Sequence, residues 1–252
     1  MSQLSLSPLA GYKSFAGPLL TIVMDGVGLG PGDESDGVHM AYTPVLDGLL
    51  NEKLVTRLKA HGKAVGLPSD SDMGNSEVGH NALGAGRIFA QGAKLVNEAL
   101  ETGAIFAGHS WQEVKKRSDG GGTLHFIGMI SDGNVHSHVD QLYRLLERCR
   151  DEGIQTVRIH GLLDGRDVAP KSAMDYFSPL EEKLKDLSRE GRDYCMASGG
   201  GRMLVTMDRY EADWRIVEKG WQAHVLGVGR KFSSASEAIR TYYEEDPDLT
   251  DQ

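Results

Sequence analysis

The sequence predicts an α/β protein with a parallel β-sheet, and two features of the chain support this fold class. Short runs rich in β-branched residues alternate with amphipathic segments of about 10–15 residues, which is typical of strands joined by crossover helices. Three of the predicted strands are followed by polar segments that contain glycine and histidine, arginine or aspartate. In an open parallel sheet, such segments meet at the carboxyl edge, where ligands bind.

The N-terminal part of the chain predicts one strand and three helices after a mobile leader. An apolar, β-branched run before Asp25 indicates a buried strand that ends at a carboxylate. Thr43 and Pro44 indicate a helix start, because threonine caps helices and proline fits the first turn. In chain order, the predicted elements are a leader over residues 1–18, a strand over 19–24 and helices over 44–50, from 76 onward and over 90–101.

The remainder of the chain alternates regularly between strand and helix patterns. In chain order, we predict strands over residues 124–130, 156–163 and 194–197 and helices over 139–150, 173–187, 210–220 and 236–243. A single strand and the segment around residue 76 cannot form a core alone. We therefore predict a domain boundary near residues 86–92.

The composition excludes several classes of protein. The chain has 252 residues and a formal net charge of −9, so it lacks the basic surface that binds nucleic acid or anionic membranes. Its two cysteines, Cys149 and Cys195, argue against a disulfide scaffold and fit a reducing compartment. The N-terminal segment has no apolar core typical of a secretory signal. These features indicate a cytoplasmic globular protein.

Asp25 is the first candidate for a functional residue. The glycines that follow it are spaced G-x-G-x-G and lead into Pro31, so they do not form the dinucleotide-binding motif, which continues into a helix. At the carboxyl end of a buried strand, the Asp25 carboxylate is suited to a hard metal ion such as Mn²⁺. The alternative is a residue that only shapes the turn or caps a helix.

Ser76 is the second candidate, because it lies where a polar loop enters a helix. The free amides and the dipole at a helix N-terminus stabilise a phosphoryl group. The serine hydroxyl can then act as a nucleophile if a metal ion that coordinates it lowers its pKa. The alternative is that Ser76 only caps the helix.

Polar side chains follow each of the three later strands. His136 comes after the first of them, Arg166 and Asp167 after the second, and Arg202 and Arg209 after the third. A structural histidine, a local ion pair and solvated arginines are the alternatives for these residues taken one at a time. Because the three loops share one edge of the sheet, together they predict a pocket for a small phosphorylated acid.

Five stretches of the sequence resemble the cofactor-independent phosphoglycerate mutases, and the plant and trypanosomatid type most of all. They are VMDGVG, AHGKAVGLPSDSDMGNSEVGHNALGAGRIFAQGAKLV, SDGNVHSH, LDGRDV and SGGGRMLVTMDRYEADW. The resemblance extends over nearly the whole chain from Gly17 onward. It implies the alkaline phosphatase superfamily and the interconversion of 3-phosphoglycerate and 2-phosphoglycerate in glycolysis and gluconeogenesis, without a bisphosphoglycerate primer.

The resemblance also implies roles for individual residues. Ser76 would be the nucleophile that becomes phosphoserine. With Asp25 it would ligate divalent metal ions, a pair of Mn²⁺ ions by preference, with Co²⁺ or Mg²⁺ as alternatives. Asp167 would handle the proton of the glycerate hydroxyl during transfer. The residues that would bind the substrate are His136, Arg166, Asp167, Arg202 and Arg209.

The resemblance divides the chain into two domains. Residues 19–89 would be the N-terminal part of a phosphatase-like domain that carries the nucleophile and metal ligands, and residues 90–252 would be an incomplete substrate-binding phosphotransferase domain. Because most metal ligands of the family lie in its C-terminal half, the chain is expected to be an N-terminal portion that is inactive alone. The implied enzyme is a monomer whose partner is the small-molecule substrate.

Two other interpretations stay open. One is another phosphoryl enzyme of the same superfamily, such as a phosphatase or a phosphopentomutase. The other is a truncated, non-catalytic fragment that binds phosphorylated acids without turnover. The first differs from a mutase in the fate of the phosphoryl group, and the second in binding the ligand without reaction.

Overall fold

The structure is a computed structural model and describes residues 10–13, 15–24, 27–52, 55–208 and 211–252. Its chain divides into two compact units, Met1–Leu58 and Lys59–Gln252. Half of the predicted leader (residues 1–9) and the candidate residues Asp25 and Arg209 lie outside the described residues.

Residues 19–24 do not form the predicted strand. Their backbone has no regular pairing and their apolar side chains are exposed, with Leu19 at 84% and Ile22 at 74%. A strand is stable only when a neighbour pairs its backbone and covers its side chains. In the described part of the chain the sheet consists of three other strands, so the prediction of a buried strand here is wrong.

Two short helices follow in the first unit. The first helix, α1 (Gly37–Met40), begins after Asp36, whose carboxylate accepts hydrogen bonds from two amides of the first turn. The second, α2 (Pro44–Leu50), confirms the predicted helix and has proline in its first turn. The Thr43 hydroxyl lies 3.1 Å from Asp47 Oδ1 and bonds that carboxylate instead of capping an amide.

The second unit begins with helical segments. In chain order they are a 3-10 turn (Gly62–Val65) and the helices α3 (Ser76–Ala85), α4 (Gly92–Glu101), α5 (Ala104–Ala107) and α6 (His109–Asp119). As predicted, α3 begins at Ser76, and it ends where Gly86 adopts a left-handed conformation. The helix predicted over residues 90–101 is confirmed by α4. The helices α5 and α6 are not among the predicted elements.

A three-stranded parallel sheet forms the centre of the second unit and confirms the predicted fold class. Its order is β1-β2-β3, and β2 pairs with both neighbours. Crossover helices α7 and α8 connect the strands, and α9 and α10 follow them. The bounds are β1 (Leu124–Met129), α7 (Val139–Asp151), β2 (Thr156–Leu163), α8 (Ala173–Leu187), β3 (Asp193–Gly201), α9 (Trp214–His224) and α10 (Ala235–Glu245).

The main core lies between the sheet and the helices α7, α8 and α10. Val157 and Ile159 of the central strand are buried there, and Leu146 and Phe177 pack from the helices. A side chain at Gly161 would lie 2.9 Å from the Phe177 ring, so glycine is required for this close packing. The packed core holds the three strands in register, which brings their carboxyl ends to one edge.

Two later elements differ from the prediction at their ends. The strand β3 extends through Gly201 although glycine disfavours strands, because these residues pair with β2. The helix α9 begins at Trp214 instead of residue 210, because the Asp213 carboxylate caps it by accepting the Arg215 amide. Among the helices of the described residues, none has both the length and the apolar character to cross a membrane.

The C-terminal residues of the chain pack against α8. Asp251 is 2% exposed, and its Oδ2 accepts the amides of Ser172 at 2.7 Å and Ala173 at 2.9 Å. The Tyr243 hydroxyl donates to the other carboxylate oxygen. Burial and this hydrogen bond raise the pKa of Tyr243. Asp251 therefore caps the start of α8 from a distant position in the chain.

The predicted boundary between residues 89 and 90 falls inside the unit Lys59–Gln252. The prediction refers to the domains of a longer protein, in which residues 19–89 would join one domain and residues 90–252 another. It stays a prediction.

Candidate functional site

The loops that follow β1, β2 and β3 meet through a buried polar cluster. Its members are Ser131 after β1, Asp164 and Asp167 after β2, and Arg202 after β3. Arg202 Nη1 lies 2.7 Å from Asp164 Oδ1 and 2.7 Å from Asp167 Oδ2. Ser131 Oγ donates to the other oxygen of Asp164 at 2.6 Å. Together with Ser131, the Asp164–Arg202–Asp167 cluster therefore joins the ends of all three strands.

Asp164 is the most enclosed carboxylate of the cluster, with a side chain that is 2% exposed. Burial raises its pKa, but the hydrogen bonds from Ser131, the Asp167 amide and Arg202 outweigh burial, so the pKa lies below its ordinary value of 3.8. Burial lowers the pKa of Arg202, and the two carboxylates raise it above its ordinary value. The cluster therefore places two carboxylates around one guanidinium.

Acid is expected to weaken the fold through Asp164. A carboxyl group with a lowered folded-state pKa contributes stability above its unfolded pKa, and this contribution is lost as the pH falls through the folded pKa. The free energy of unfolding should fall below pH 3.8. The Asp164→Asn variant should show a smaller loss, because it cannot ionise. Urea unfolding between about pH 5 and about pH 3 measures the two slopes.

The exposed Asp248 supplies the control for this experiment. Asp248→Asn should keep the wild-type slope. Equal slopes for wild type and Asp164→Asn would show that Asp164 does not stabilise the fold through its charge.

His136 and Arg166 lie on the open side of the cluster. His136 Nε2 is 3.9 Å from Asp167 Oδ2, and the histidine side chain is 53% exposed. Arg166 is also exposed. A side chain at Gly133 would lie 2.8 Å from the Asp167 Cβ atom, so only glycine lets the two loops approach this closely. The structure thus brings His136, Asp167 and Arg202 together and leaves His136 and Arg166 accessible to a ligand.

Arg202 itself is nearly enclosed, with 4% of its side chain exposed. Its Nη1 donates hydrogen bonds to both carboxylates. Its Nε is buried without a hydrogen-bond partner among the described residues. A buried guanidinium donor without an acceptor is costly. It would gain a partner from a ligand oxygen that reaches this position.

Ser76 is the first residue of α3, and its hydroxyl is exposed. Asn75, not Ser76, caps the helix, because Asn75 Oδ1 accepts the amide of Val78 at 3.1 Å. The interpretation of Ser76 as a cap is therefore wrong. His80 Nδ1 lies 3.1 Å from Ser76 Oγ and 2.7 Å from the Ser76 carbonyl oxygen. In the tautomer whose Nδ1 donates to this carbonyl, the same nitrogen cannot accept the serine proton.

The loop before Ser76 is held at two points. The Gly74 amide donates to His61 Nδ1 at 2.9 Å, and a side chain at Gly74 would lie 1.9 Å from the Ala60 carbonyl oxygen. The Asn134 side-chain amide donates to Asp72 Oδ1. Burial raises the pKa of Asp72, but the hydrogen bonds from Asn134 and Ser69 outweigh burial. The pKa of Asp72 therefore lies below its ordinary value. The Ser76 loop is therefore attached to the loop that carries His136.

A cavity of about 260 Å³ lies at this junction. Asn75 and Glu77, on either side of Ser76, line it together with Asn134 and Val135 from the loop after β1. The neighbours of Ser76 and of His136 thus face one cavity. Its volume is close to the lower end of the range for small-molecule sites.

Three residues of this site were not predicted from the sequence, namely Ser131, Asp164 and Asn134. Asp164 follows β2 directly and Ser131 lies two residues after the end of β1, so their place at the strand ends is the signal that could have found them. Asn134 carries a weaker signal, because its role depends on contact with the distant Asp72.

The described residues do not form a metal site. They contain no group of three or more histidine, cysteine, aspartate or glutamate side chains placed to hold a metal ion. Asp25 lies outside the described part of the chain. The assignment of Asp25 and Ser76 as metal ligands stays a prediction, as does the role of Arg209.

Comparison with protein families gives a match over most of the second unit. Residues 96–252 match the family model described as "BPG-independent PGAM N-terminus". The matched region begins near the predicted domain boundary at residue 90.

Curated relatives and a solved structure agree with this family. The chain is 54% identical over 247 residues to the 2,3-bisphosphoglycerate-independent phosphoglycerate mutase of Trypanosoma brucei brucei, covering 97% of this chain and 45% of that protein. It is 52% identical over 235 residues to the Zea mays enzyme of the same name, covering 92% of this chain and 42% of the relative. The chain thus spans less than half of the length of these relatives.

A crystal structure of Leishmania mexicana phosphoglycerate mutase at low cobalt concentration matches the fold with a TM-score of 0.83 and 52% identity. The match covers 91% of this chain and 42% of that structure.

Proposed function

We propose a function for this chain on the premise that the chain belongs to the BPG-independent phosphoglycerate mutase family. The proposed reaction is the interconversion of 3-phosphoglycerate and 2-phosphoglycerate, a step of glycolysis and gluconeogenesis. It proceeds through a phosphoserine intermediate without a bisphosphoglycerate primer. To this enzyme the chain contributes the nucleophile segment and the substrate-binding loops.

The observation that carries the proposal is the buried Asp164–Arg202–Asp167 cluster beside the exposed His136. A small acid with a phosphate and a carboxylate needs cationic donors that are fixed in place, and buried ion pairs fix them. The cavity that Asn75 and Asn134 line brings the Ser76 loop to the same region. Residues adjacent to Ser76 and to His136 therefore line a shared space.

We assign the residues as follows. The Ser76 oxygen attacks phosphorus, a serine–phosphate bond forms and the phosphate bond to glycerate breaks. Asp167 holds the proton of the glycerate hydroxyl that next attacks the phosphoserine, which restores free Ser76. His136, Arg166, Arg202 and Arg209 bind the substrate and retain glycerate between the two transfers. Over the first transfer the Ser76 proton replaces phosphate on the departing glycerate oxygen, and over the second transfer the proton of the attacking hydroxyl returns to Ser76.

Divalent metal ions belong to this proposal, with Mn²⁺ preferred and Co²⁺ or Mg²⁺ as alternatives. Such ions take about six oxygen ligands. Asp25 and Ser76 supply only two ligand side chains, and the described residues offer no three-ligand group. These residues alone therefore do not fit a pair of metal ions, and no step of the mechanism above is derived from one.

The wider assignments are parts of the same proposal. Residues 19–89 belong to a phosphatase-like domain and residues 90–252 to the substrate-binding domain, which the family match over residues 96–252 supports. The enzyme works in the cytoplasm as a monomer, and its partner is the small-molecule substrate.

The test uses a chimeric chain in which these 252 residues are followed by the remaining part of the Trypanosoma brucei brucei relative. We expect metal-dependent conversion of 3-phosphoglycerate to 2-phosphoglycerate without bisphosphoglycerate, measured by coupling to enolase. Ser76→Ala should abolish turnover, because no phosphoserine can form. Ser110→Ala, at an exposed serine of α6, is the matched control and should keep full activity.

The same assay separates the alternatives. Release of inorganic phosphate in place of 2-phosphoglycerate would support a phosphatase. Binding of 3-phosphoglycerate to this chain, measured by titration calorimetry, combined with an inactive chimera would support the non-catalytic fragment. His136→Gln should weaken that binding about tenfold by removing one contact to the anion, whereas His109→Gln on α6 should not change it.

A further inference from the structure

Five side chains form a continuous hydrogen-bonded relay across the sheet. His125 Nδ1 lies 2.9 Å from His160 Nε2, and His160 Nδ1 lies 2.6 Å from Ser198 Oγ. Ser198 Oγ is 2.7 Å from His224 Nδ1, and His224 Nε2 is 2.9 Å from Thr206 Oγ1. This histidine–hydroxyl relay joins β1, β2 and β3 to the end of α9 and then to the residues after β3. The proposed reaction does not use it.

The relay is complete when its histidines are neutral. A neutral imidazole has one N–H donor and one acceptor nitrogen, so all four hydrogen bonds form if every donor points the same way along the relay. If His160 and His224 were both protonated, both would donate to the same Ser198 oxygen. Burial lowers the pKa of His160 and of His224, and the neighbouring histidines lower that of His160 further. The neutral, fully bonded form is therefore favoured.

The relay ends on a strained and closely packed residue. Thr206 has a backbone φ of 91°, which is rare for a β-branched residue. A side chain at Gly220 of α9 would lie 2.6 Å from Thr206 Oγ1, so the helix backbone packs directly against Thr206. The Thr206 amide also donates to the Ile216 carbonyl of α9 at 3.1 Å. Surrounding contacts are needed to hold a residue in this conformation.

Thr206 belongs to the turn over residues 201–208, here named the Arg202 turn. Within it, the amide of Met207 donates to the carbonyl of Arg202 at 3.2 Å. The amide of Arg202 donates to the Leu163 carbonyl at the end of β2 at 3.0 Å. Arg202 is thus fixed to the sheet at its own amide, and the rest of its turn is fixed to α9 at Thr206.

We propose that the histidine–hydroxyl relay is a positioning device for the substrate site. It ties the Arg202 turn to the sheet through His224 of α9, and it thereby sets where the Arg202 guanidinium meets Asp164 and Asp167. Thr206, Ser198 and His224 are positioning residues and do not contact the substrate. The identity of the ligand rests on the proposed function, but the ordering of the turn does not.

The experiment compares two variants of Thr206 in this chain. Thr206→Val keeps the shape and removes the hydroxyl, whereas Thr206→Ser keeps the hydroxyl. We expect Thr206→Val to raise the Kd for 3-phosphoglycerate about tenfold and to speed amide hydrogen exchange of residues 203–207 by a similar factor. Thr206→Ser should restore both values to within about twofold of wild type, a rescue that side-chain packing alone would not give.

Ser198→Ala tests the relay at its middle and covers the case in which a Thr206 variant does not fold. Ser198→Ala should speed amide hydrogen exchange of residues 203–207 by about the same factor as Thr206→Val does. The control is Ser188→Ala, which removes a hydroxyl that bonds the Tyr194 amide and carbonyl at the other end of β3. Ser188→Ala should leave hydrogen exchange of residues 203–207 unchanged.

The outcomes separate the two proposals. Unchanged amide hydrogen exchange of residues 203–207 in Thr206→Val and Ser198→Ala would overturn the positioning role. An equal rise in exchange in Thr206→Val and Thr206→Ser would also overturn it. If wild type does not bind 3-phosphoglycerate, the substrate-binding role proposed for this chain alone fails, and the exchange rates still decide the role of the relay. Faster exchange in Thr206→Val with rescue in Thr206→Ser supports it.

Discussion

Replacing Arg202 with methionine is expected to lower the free energy of unfolding of this chain by about 3–5 kcal/mol. Arg202 is 4% exposed, and its guanidinium lies 2.7 Å from both Asp164 and Asp167. Methionine has a similar length but no charge, so two enclosed carboxylates would face each other without a cation. Removing one partner of a buried ion pair costs far more than removing a surface charge. Urea unfolding measures the change.

Two further variants show whether charge causes this loss. Arg202→Lys restores a cation without the planar fork, so it should recover part of the stability. Arg166→Met removes an exposed arginine from the same region and should change the free energy of unfolding by about 0.5 kcal/mol or less. A loss below about 1 kcal/mol in Arg202→Met would mean that the cluster is hydrated and contributes little.

Replacing Asp251 with alanine is expected to cost about 3 kcal/mol of unfolding free energy. The Asp251 carboxylate accepts the amides of Ser172 and Ala173 and the hydroxyl of Tyr243 in a buried position. Alanine leaves these donors without their acceptor, and each unsatisfied buried group costs about 1–3 kcal/mol. The loss should appear as a lower urea midpoint with an unchanged slope.

Asp251→Asn and Asp248→Ala complete this test. Asparagine keeps one acceptor oxygen but loses the negative charge that is favourable at the N-terminus of α8. The free energy of unfolding of Asp251→Asn should therefore lie between those of Asp251→Ala and wild type. Asp248 is exposed in the same segment, and Asp248→Ala should behave like wild type. If Asp248→Ala and Asp251→Ala destabilise the chain equally, the effect comes from the acidic segment as a whole and not from the cap.

The fold was predictable where the sequence signal is local. The strands over residues 124–130 and 156–163 alternate with amphipathic helices, and the structure confirms both strands and their parallel pairing. The apolar run over residues 19–24 gives the same local signal, yet it is exposed. An apolar run looks alike whether or not a neighbouring strand exists to pair with it. Short helices such as α5, with four residues, are too short to show a helical period.

The sequence predicted which edge of the sheet carries the candidate residues, but not the contacts between their side chains. His136, Asp167 and Arg202 lie together because parallel strands bring their carboxyl ends to one edge. That Arg202 would be enclosed between Asp164 and Asp167 depends on packing between loops that lie 35 or more residues apart in the chain. No local pattern carries that information.

The cap on α8 has a consequence for the order in which the chain is made. The carboxylate that holds the first amides of α8 comes 79 positions after Ser172. During synthesis, β1, α7 and β2 emerge before α8, and each segment can begin to pack as it leaves the ribosome. The start of α8 must wait for Asp251, since water alone satisfies its amides until then. The start of α8 is thus completed only after residue 251 has left the ribosome, at least 79 residues after Ser172.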